Sequence, residues 1–425
     1  MRKFFKHKVF SGALQFTIFI GVIIALILTG LILLQNTHNF FIQQSKATIE
    51  NIQLANSGIN FLKLQLNPIT DTTAIEKLSS NNQKVEVQSS QWGIYEKAIV
   101  KTTNREKIFY KSALIGTQME DLQRPTLYLQ DNFKPLIVVG NTRLKGTIYL
   151  PNQEIKSGYI AGESFYGKDL FQGTIKKSNT KLPELRKNYK DHFEELLKFK
   201  DLNIASFIGG NEIIKYRNSF LKPTKYWYSK NEIILDNNDL VGNIIIKSEH
   251  KITIKKTAIL KDVIIVAPMV EIQDGVSGNF QAIANKQIIV GKNCKLTYPS
   301  AIVFIQIKEE VLDFQNTKTA VFIDKNTEIR GSIIYFKHTK ENDFKTQITL
   351  SEEAAIKGEI YCEGNLELKG KVVGSVYTEQ FIVNRGGTTF VNHIYNGQIV
   401  NDNFPENFCG LLFKNNQKGI AKWIY

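Results

Sequence analysis

Carboxylate pairs are the residues of this sequence whose types could support acid–base chemistry. Cleavage of a polysaccharide needs two or three carboxylates that converge on one groove. The candidate pairs are Asp236 with Asp239, Asp262 with Asp274, and Glu352 with Glu353. The first pair lies in the turn-like sequence DNND, and the last consists of neighbours whose side chains would point to opposite faces of a strand. We therefore predict no catalytic residue and no enzymatic activity.

The histidines and cysteines show no spacing typical of a metal site. The six histidines form neither an H-x-x-x-H nor an H-E-x-x-H motif, and Cys294, Cys362 and Cys409 lie far apart. Buried thiols are the default interpretation, although one pair could form a disulfide in an oxidising compartment. No glycine-rich loop of Walker or Rossmann form occurs. The sequence thus predicts neither a metal nor a cofactor.

A run of three aromatic residues is the strongest candidate for a ligand-binding or partner-binding patch. Tyr226, Trp227 and Tyr228 lie in KPTKYWYSKNE between Lys225 and Lys230. Such a run can form a ligand or partner patch, or it can cover the flank of a core, since Trp and Tyr often do so. Both interpretations stay open.

The charge pattern gives little indication of a polyanionic partner. The net charge is +14, but the lysines are scattered among asparagines, without an arginine cluster or a regular basic and aromatic stripe. A solvated lysine-rich surface is the simpler interpretation, and nucleic-acid binding is not predicted.

One stretch determines where the chain lies. Residues 9–34 contain no charged side chain, and such a run can cross the roughly 30 Å core of a bilayer as a helix. The apolar run is longer than that of a signal peptide and has no A-x-A-like site at its end. We predict a single-pass anchor in the inner (plasma) membrane.

The basic flank predicts the orientation. Arg2, Lys3, Lys6 and Lys8 precede the apolar run without any acid, and the next charge after it is Lys46. Positive charge favours the cytoplasmic side. Residues 1–8 are therefore expected in the cytoplasm, with the bulk of the chain extracytoplasmic or periplasmic.

A stripe of small residues runs along the predicted membrane helix. Ala13, Thr17, Gly21, Ala25 and Thr29 recur at a spacing of four. Small residues let helix backbones approach closely, and that packing drives association in lipid. Self-association and a second membrane protein are equally open as partners.

The helix is predicted to continue beyond the membrane. Residues 35–66 lack proline, and Ile49, Ile52, Ile59 and Leu62 follow helical spacings, which predicts an amphipathic continuation. It should stop before Pro68, because proline removes a donor and restricts the residue before it.

This layout resembles the N-terminal region of PilX-like minor pilins over residues 1–66. The features that carry the resemblance are the short basic start, the opening Gly12, Ala13 and Leu14, and the later QLANSGINFLKL. Thr17 stands five residues after Gly12, where the pilin pattern has Glu. The resemblance implies an assembly subunit, and the Thr17 position departs from the processing motif.

The rest of the chain is predicted to be mainly β. Residues 67–132 alternate in polarity and predict a small antiparallel β module. Residues 133–403 repeat Gly-x-Ile-like triplets that start at Gly146, Gly242, Gly331, Gly358 and Gly374, with variants at Asp262 and Asn392. Isoleucines 244, 264, 283 and 302 recur about once per coil, which favours a parallel β-helix over a β-sandwich.

Two further segments complete the predicted domain organisation. Residues 182–203 have helical periodicity and are interpreted as an inserted crossover or as an arm over an open end of the coils. Residues 404–425 are too apolar to be free and should pack on the last coil. Coils at 240–400 resemble bactofilin-type and other polymer-forming β-helix proteins, which supports the fold rather than a function.

The predicted function follows from the anchor and the repeats. We expect a membrane-anchored structural or interaction protein of the cell envelope, in a pilus-like or secretion-like assembly. The alternative is a membrane-tethered protein that binds or modifies envelope glycans.

Overall fold

A computed structural model describes residues 12–80, 82–120, 124–187, 189–198, 207–208, 215–307, 319–338, 344–402, 404–414 and 416–424. The predicted flank 1–8 lies outside these residues, as do parts of the predicted segments 9–34, 182–203 and 404–425. The fold is mainly β, with one long apolar helix, an antiparallel sheet and a large set of parallel strands. It confirms the predicted fold class.

Helix α1 spans Gly12–Leu64 without a break. It is long and apolar enough to cross a membrane, with a mean hydropathy of 2.9 in its most apolar window, none of which is buried. Its later part is packed, since Asn51 and Ala55 are buried. The helix ends shortly before Pro68, as the proline predicts.

The described residues form two compact units. The first comprises the described residues up to Gly58 together with Ala74–Glu86 and Val100–Tyr110. In it, Gly58 packs so closely that an added Cβ would lie 2.6 Å from Val100. The second unit comprises Ile59–Thr73, Val87–Ile99 and the described residues from Lys111 onward.

The antiparallel sheet begins directly after α1. Its first strands follow chain order, with a short 3₁₀ turn at Glu76–Leu78. They are β1 (Thr73–Ala74), β2 (Gln83–Trp92), β3 (Tyr95–Asn104) and β4 (Lys107–Gln118).

Parallel strands make up most of the second unit, and its described residues also include a helix and two antiparallel pairs, Tyr159–Ile160 with Glu163–Ser164 and Lys371–Arg385 with Thr388–Val391. In chain order the strands after β4 begin with β5 (Leu127–Leu129), β6 (Leu136–Val139), β7 (Arg143–Leu150), β8 (Ile155–Ser157), β9 (Tyr159–Ile160), β10 (Glu163–Ser164) and β11 (Gln172–Lys177). Helix α2 (Tyr189–Leu197) follows. The next strands are β12 (Lys215–Asn218), β13 (Lys225–Ser229), β14 (Ile233–Leu235), β15 (Asp239–Gly242), β16 (Ile244–Ser248), β17 (Lys251–Ile254), β18 (Ile259–Val266), β19 (Met269–Ile272), β20 (Ser277–Ala284) and β21 (Gln287–Val290).

The stack continues to the last segment of the chain. Its remaining strands are β22 (Lys295–Ile305), β23 (Thr319–Ile323), β24 (Glu328–Phe336), β25 (Thr346–Leu350), β26 (Ala355–Leu368), β27 (Lys371–Arg385), β28 (Thr388–Val391), β29 (His393–Tyr395) and β30 (Gln398–Val400). Each coil pairs in parallel with the next, as β20 does with β22 and β22 with β24. The result is a β-helix-like stack of coils.

The repeated glycines form a ladder at one corner of the stack. Gly331, Gly358 and Gly374 lie in register on successive coils, with φ of 146°, 154° and 137°. A Cβ at Gly358 would lie 1.8 Å from the carbonyl oxygen of Gly331. Asp262, at the matching position of an earlier coil, also has a positive φ of 62°. Asn392 has a φ of 56°, but it precedes β29, which pairs with β6 and not with a strand of this ladder, so the predicted variant at Asn392 lies at a different corner. At Gly331, Gly358 and Gly374 the positive φ and the close backbone approach favour glycine, whereas Ser300 occupies the register position beside Gly331 on the preceding coil.

The strand after this corner is buried on both faces. Ile333 and Tyr335 point into the core enclosed by the coils, whereas Ile334 and Phe336 belong to a second apolar cluster outside it. That second cluster also contains Trp92 of β2 and residues of α2. Burial on both sides explains why the repeats read as continuous apolar runs rather than alternating ones.

The register differs from the predicted isoleucine spacing at all three steps. Ile264 pairs with Ile245 rather than Ile244, it does not pair with Ile283, and Ile283 pairs with Val303 rather than Ile302. Ile264 pairs instead with Gln281, and Gln281 pairs with Ala301. Gln281 is buried in this row because its side-chain amide donates to the Trp92 carbonyl at 3.2 Å and its oxygen accepts from the Ile94 amide at 2.8 Å. A partner distant in sequence thus replaces the expected apolar side chain.

The chain does not run from one end of the stack to the other in sequence order. Strand β27 pairs with β5 and β30, and both of these pair with β7, which in turn pairs with β11. The first coils thus stack on the last ones. The segment with α2 returns along the flank, where Phe193 packs on Phe336 at a centroid distance of 5.8 Å. It is a crossover and does not cover an open end.

The C-terminal tail does more than pack on the last coil. It adds β31 (Cys409–Gly410) and β32 (Lys418–Ile424), and both pair antiparallel with β4. The antiparallel sheet is therefore completed by residues about three hundred positions after its first strands. The sequence alone did not indicate this pairing.

The glycine ladder predicts that adding a single Cβ atom to one of its glycines strongly lowers the stability of the protein. Gly358→Ala should lower the free energy of unfolding by roughly 3 kcal/mol or more, because φ becomes strained and Cβ meets a backbone oxygen. Gly386→Ala is the matched control, since Gly386 has φ of 61° but no atom within 4 Å of an added Cβ. It should cost only about 1 kcal/mol. Urea unfolding followed by circular dichroism measures both, and equal losses would contradict the close-approach argument.

Candidate functional site

The predicted small-residue stripe lies on the exposed, apolar half of α1. Ala13, Thr17, Gly21, Ala25 and Thr29 are all exposed, and no atom lies within 4 Å of a Cβ added at Gly21. The Thr17 and Thr29 hydroxyls donate to the carbonyls of Leu14 at 2.9 Å and Ala25 at 2.7 Å. Because the helix itself accepts these protons, the stripe offers a shallow surface without a competing polar donor.

The aromatic run lies on β13 but does not face one way. Trp227 is buried in the core enclosed by the coils, whereas Tyr226 packs at the edge of the outer cluster. The Tyr228 hydroxyl donates to the Glu249 carboxylate, and this bond raises the pKa of Tyr228 to about 12. A ligand at this strand could contact the two tyrosines, while Trp227 serves the core.

The carboxylates singled out in the sequence lie at separate coil corners, mostly beside cations. The shortest ionic contacts are Asp236–Lys255 at 2.8 Å, Asp239–Arg217 at 3.5 Å, Asp262–Lys422 at 2.5 Å and Glu352–Lys325 at 3.1 Å. Asp274 accepts the Lys292 amide at 2.8 Å, and Glu353 has a φ of 62°. Their positions fit turns and surface pairs. In the described part of the chain, no group of three or more His, Cys, Asp or Glu could hold a metal ion.

The three cysteines are free thiols in buried positions. Cys294 donates to the Gln273 carbonyl at 3.1 Å. Burial raises the pKa of Cys362, and it raises that of Cys409 to about 12. Thiols held neutral in this way are weak nucleophiles, which fits a packing role.

A cleft lies on the flank of the stack between α2 with its preceding segment and the strand ends of the coils. We call it the flank cleft. Its volume is about 820 Å³, and its lining residues include Gln130, Thr180, Lys181, Arg186, Lys190, Lys337, Tyr361, Glu363 and Glu379. Two ion pairs lie in its lining, with Lys190 Nζ 2.5 Å from Glu363 and Lys337 Nζ 3.8 Å from Glu379. Burial raises the pKa of Glu379, and the Lys337 charge opposes that shift.

A buried ionic junction lies elsewhere in the second unit. The Glu96 carboxylate is fully buried and accepts from Arg186 and Lys418, each at 2.7 Å. Lys418 Nζ also lies 3.4 Å from the Leu62 carbonyl in the last turn of α1. A cation at a helix C-terminus is favourable because the helix dipole is negative there. Burial lowers the pKa of Lys418, and Glu96 opposes that shift.

A second buried cation holds the start of the tail. Arg124 donates to the carbonyls of Met119 at 3.1 Å and Phe408 at 3.2 Å, and its guanidinium lies 4.6 Å from the Phe404 ring centroid. Glu359 is 3.9 Å away and accepts the Leu411 amide at 3.0 Å. Burial raises the pKa of Glu359. Both junctions escaped the sequence analysis, because their members are scattered along the chain and share no motif.

Comparisons with known proteins give little beyond the geometry. No family model matches the chain, and no curated protein matches it. Among solved structures, the chain is similar to the competence-associated pilin ComZ from Thermus thermophilus, with 10% sequence identity over 84% of this chain and 85% of that chain. The TM-score is 0.21, so this match carries no argument about fold or function.

The Glu96 junction predicts an order of stability losses. Glu96→Gln leaves the buried Lys418 and the partly buried Arg186 without their anion and should cost roughly 3–5 kcal/mol, whereas Lys418→Met leaves the Glu96–Arg186 pair intact and should cost clearly less. Equilibrium unfolding in urea measures both losses. A larger loss in Lys418→Met would show that the contact to Leu62, rather than the carboxylate, holds this junction together.

The buried imidazole of His192 on α2 leads us to predict that the protein loses stability at acidic pH. The Nε2 atom of His192 is buried without a hydrogen-bond partner among the described residues, and burial lowers the pKa of the imidazole from 6.5 to about 4. The unfolded chain therefore takes up a proton near pH 6.5 that the folded protein takes up only near pH 4. Stability should fall by up to about 3 kcal/mol as pH drops through this window.

The matched comparison uses two histidine variants. His192→Leu should flatten the difference in unfolding free energy between pH 7 and pH 4.5, whereas the change at exposed His250, His250→Gln, should leave it as in the parent chain. An unchanged pH profile in His192→Leu would contradict a buried neutral imidazole.

Proposed function

We propose that this protein is a single-pass, membrane-anchored subunit of an envelope assembly of pilus-like or secretion-like type. The observation that carries the proposal is the continuity of α1 from its exposed apolar half into packed residues. Ala55 is buried, and Gly58 lies against Val85 and Val100 of the same unit. A continuous helix transmits position and torque from the membrane to a folded unit, which a flexible linker cannot do.

The orientation proposed for the anchor rests on sequence. Arg2, Lys3, Lys6 and Lys8 favour a cytoplasmic N-terminus, and the bulk of the chain then lies in the extracytoplasmic or periplasmic space of a cell with this protein in its inner membrane.

The proposed assembly surface is the small-residue stripe. The exposed half of α1 buries nothing in the described chain, so its interactions must be with lipid or with another helix. The stripe lets a second helix approach, and the internal bonds of Thr17 and Thr29 leave their methyl groups available for packing. We propose another copy of α1 or a second membrane protein as the partner.

Catalysis is not part of the proposed function. The carboxylates considered above take part in ion pairs, amide contacts and turns at separate corners, so each has a structural role to fill. The second candidate function is binding of an envelope glycan without its modification. It is favoured by the paired charges and broad volume of the flank cleft, which suit a polar and uncharged ligand.

A pair of glycine variants tests the assembly surface. Gly21→Leu places a large side chain on the stripe and should reduce association of the full chain at least roughly fivefold. Gly30→Leu is the matched control, because Gly30 is equally open and lies nine residues away, about half a turn round the helix. Disulfide cross-linking of single-cysteine chains in native membranes reports the association. Equal cross-linking in both variants would contradict the stripe as the assembly surface.

A further inference from the structure

A second groove adjoins the flank cleft, and we call it the amide groove. Its volume is about 420 Å³, within the roughly 300–1,000 Å³ of small-molecule sites. Polar side chains line most of it, and two aromatic side chains complete the lining. The lining includes the amide side chains of Gln130, Asn132, Gln347 and Asn365 and the rings of Phe133 and Phe344.

Phe133 has an exposed side chain on a strained backbone. Its φ is 58°, a region that bulky side chains rarely adopt, and its side chain is 71% exposed. The loop is fixed rather than loose, since Asp131 Oδ1 accepts the Phe133 amide at 2.8 Å and Asn132 donates to the Glu379 carbonyl at 2.8 Å. Strain combined with an exposed apolar ring gives the fold no benefit, which points to a role in binding.

Phe344 supplies a second exposed ring to the same groove, at 60% exposure. Side-chain amides lie between the charged residues of the lining. Gln347 accepts the Asn365 amide at 2.6 Å, and Gln130 donates to Asn132 at 3.1 Å, so these groups are positioned by one another. Apolar rings beside ordered amides offer both stacking and hydrogen bonds.

The charge of the groove argues against an ionic ligand. Two lysines, Lys134 and Lys337, are matched by two acids, Asp131 and Glu379, and Lys337 lies 3.8 Å from Glu379. A nucleic acid would require an excess of cations along its phosphates, which this balance lacks. A neutral molecule rich in hydroxyl groups fits the donors and acceptors without leaving a charge unpaired.

The groove is one part of a longer path. Gln130, Thr180, Lys337 and Glu379 line both the amide groove and the flank cleft. Phe133 also lines a third groove of about 680 Å³, together with Asp131 and Thr180. Connected grooves of this kind suit a polymer better than a single small molecule.

We propose that the amide groove binds a segment of a neutral polysaccharide, with the Phe133 and Phe344 rings stacked on the C–H faces of sugar rings and the amide side chains bonded to hydroxyl groups. The flank cleft and the third groove accept the sugar units on either side. This inference rests on the second candidate function, glycan binding, and is independent of the membrane assembly proposed above.

The test uses the full chain in a detergent without sugar groups, such as lauryldimethylamine oxide. The probes are the pentasaccharides of cellulose, chitin and maltose, with pentagalacturonate as an acidic comparison, and isothermal calorimetry gives the affinity. At least one neutral probe should bind, and Phe133→Gly and Phe344→Ala should each weaken it roughly tenfold. Phe133→Gly should also raise Tm, because glycine relieves the positive φ.

Two control variants separate binding from stability. Glu353→Gly relieves a φ of 62° outside the groove and should raise Tm without changing affinity, and Tyr166→Ala removes an aromatic side chain that is 58% exposed outside the groove. Asparagine tolerates a positive φ, so Phe133→Asn replaces Phe133→Gly if the glycine variant is poorly produced.

Three results would overturn the proposal. The first is that no neutral probe binds, including the case in which only pentagalacturonate or an unstructured peptide does. The second is that binding is unchanged in Phe133→Gly and Phe344→Ala. The third is a fall in Tm in both Phe133 variants, which would assign the ring to the fold. None of these results bears on the cross-linking of α1, so the two proposals fail separately.

Discussion

The close approach of successive coils is the constraint on which most of this structure depends. At the glycine corner, the backbone of one coil lies so near the carbonyl oxygen of the next that no Cβ fits between them. This contact lets the strands beyond the corner pair in register, and the pairing aligns the isoleucines that fill the core. A single coil cannot bury its own side chains, so the stacking of the coils creates the core.

The second requirement is that one face of the stack be covered from outside. Ile334, Phe336, Tyr361 and Tyr377 point outward on successive coils and would form a large exposed apolar surface. Trp92, α2 and the tail cover this surface in the second unit. Gln281, the Glu96 junction and Arg124 supply polar contacts among the covering segments and the stack. These buried polar contacts fix the relative positions of the covering segments and the stack, which apolar contacts alone would specify less uniquely.

The parts of the fold that the sequence predicts are those with local or periodic signals. The apolar run of α1 and the Gly-x-Ile repeat are of this kind, and the positive φ of Asp262 fits the repeat even where glycine is missing. The pairing of β32 with β4 and the Lys418–Glu96 contact have no such signal, because the partners lie hundreds of residues apart. Composition could not show which aromatic side chains of residues 226–228 are exposed. Alternation along β13 turns Trp227 inward and the two tyrosines outward. The grooves were not predicted, since they arise where a crossover passes over coil ends.

The path of the chain has a consequence for how the protein is made. The coils nearest the N-terminus stack on β27 and β30, and the antiparallel sheet ends with β32. Translation delivers α1 and the first strands early, so β4 and β5 are made while they still lack their neighbours. Open strand edges of this kind are prone to wrong pairing until synthesis ends. Native structure in the second unit is thus tied to the synthesis of β32, and a chain truncated before it would leave this edge of β4 unpaired.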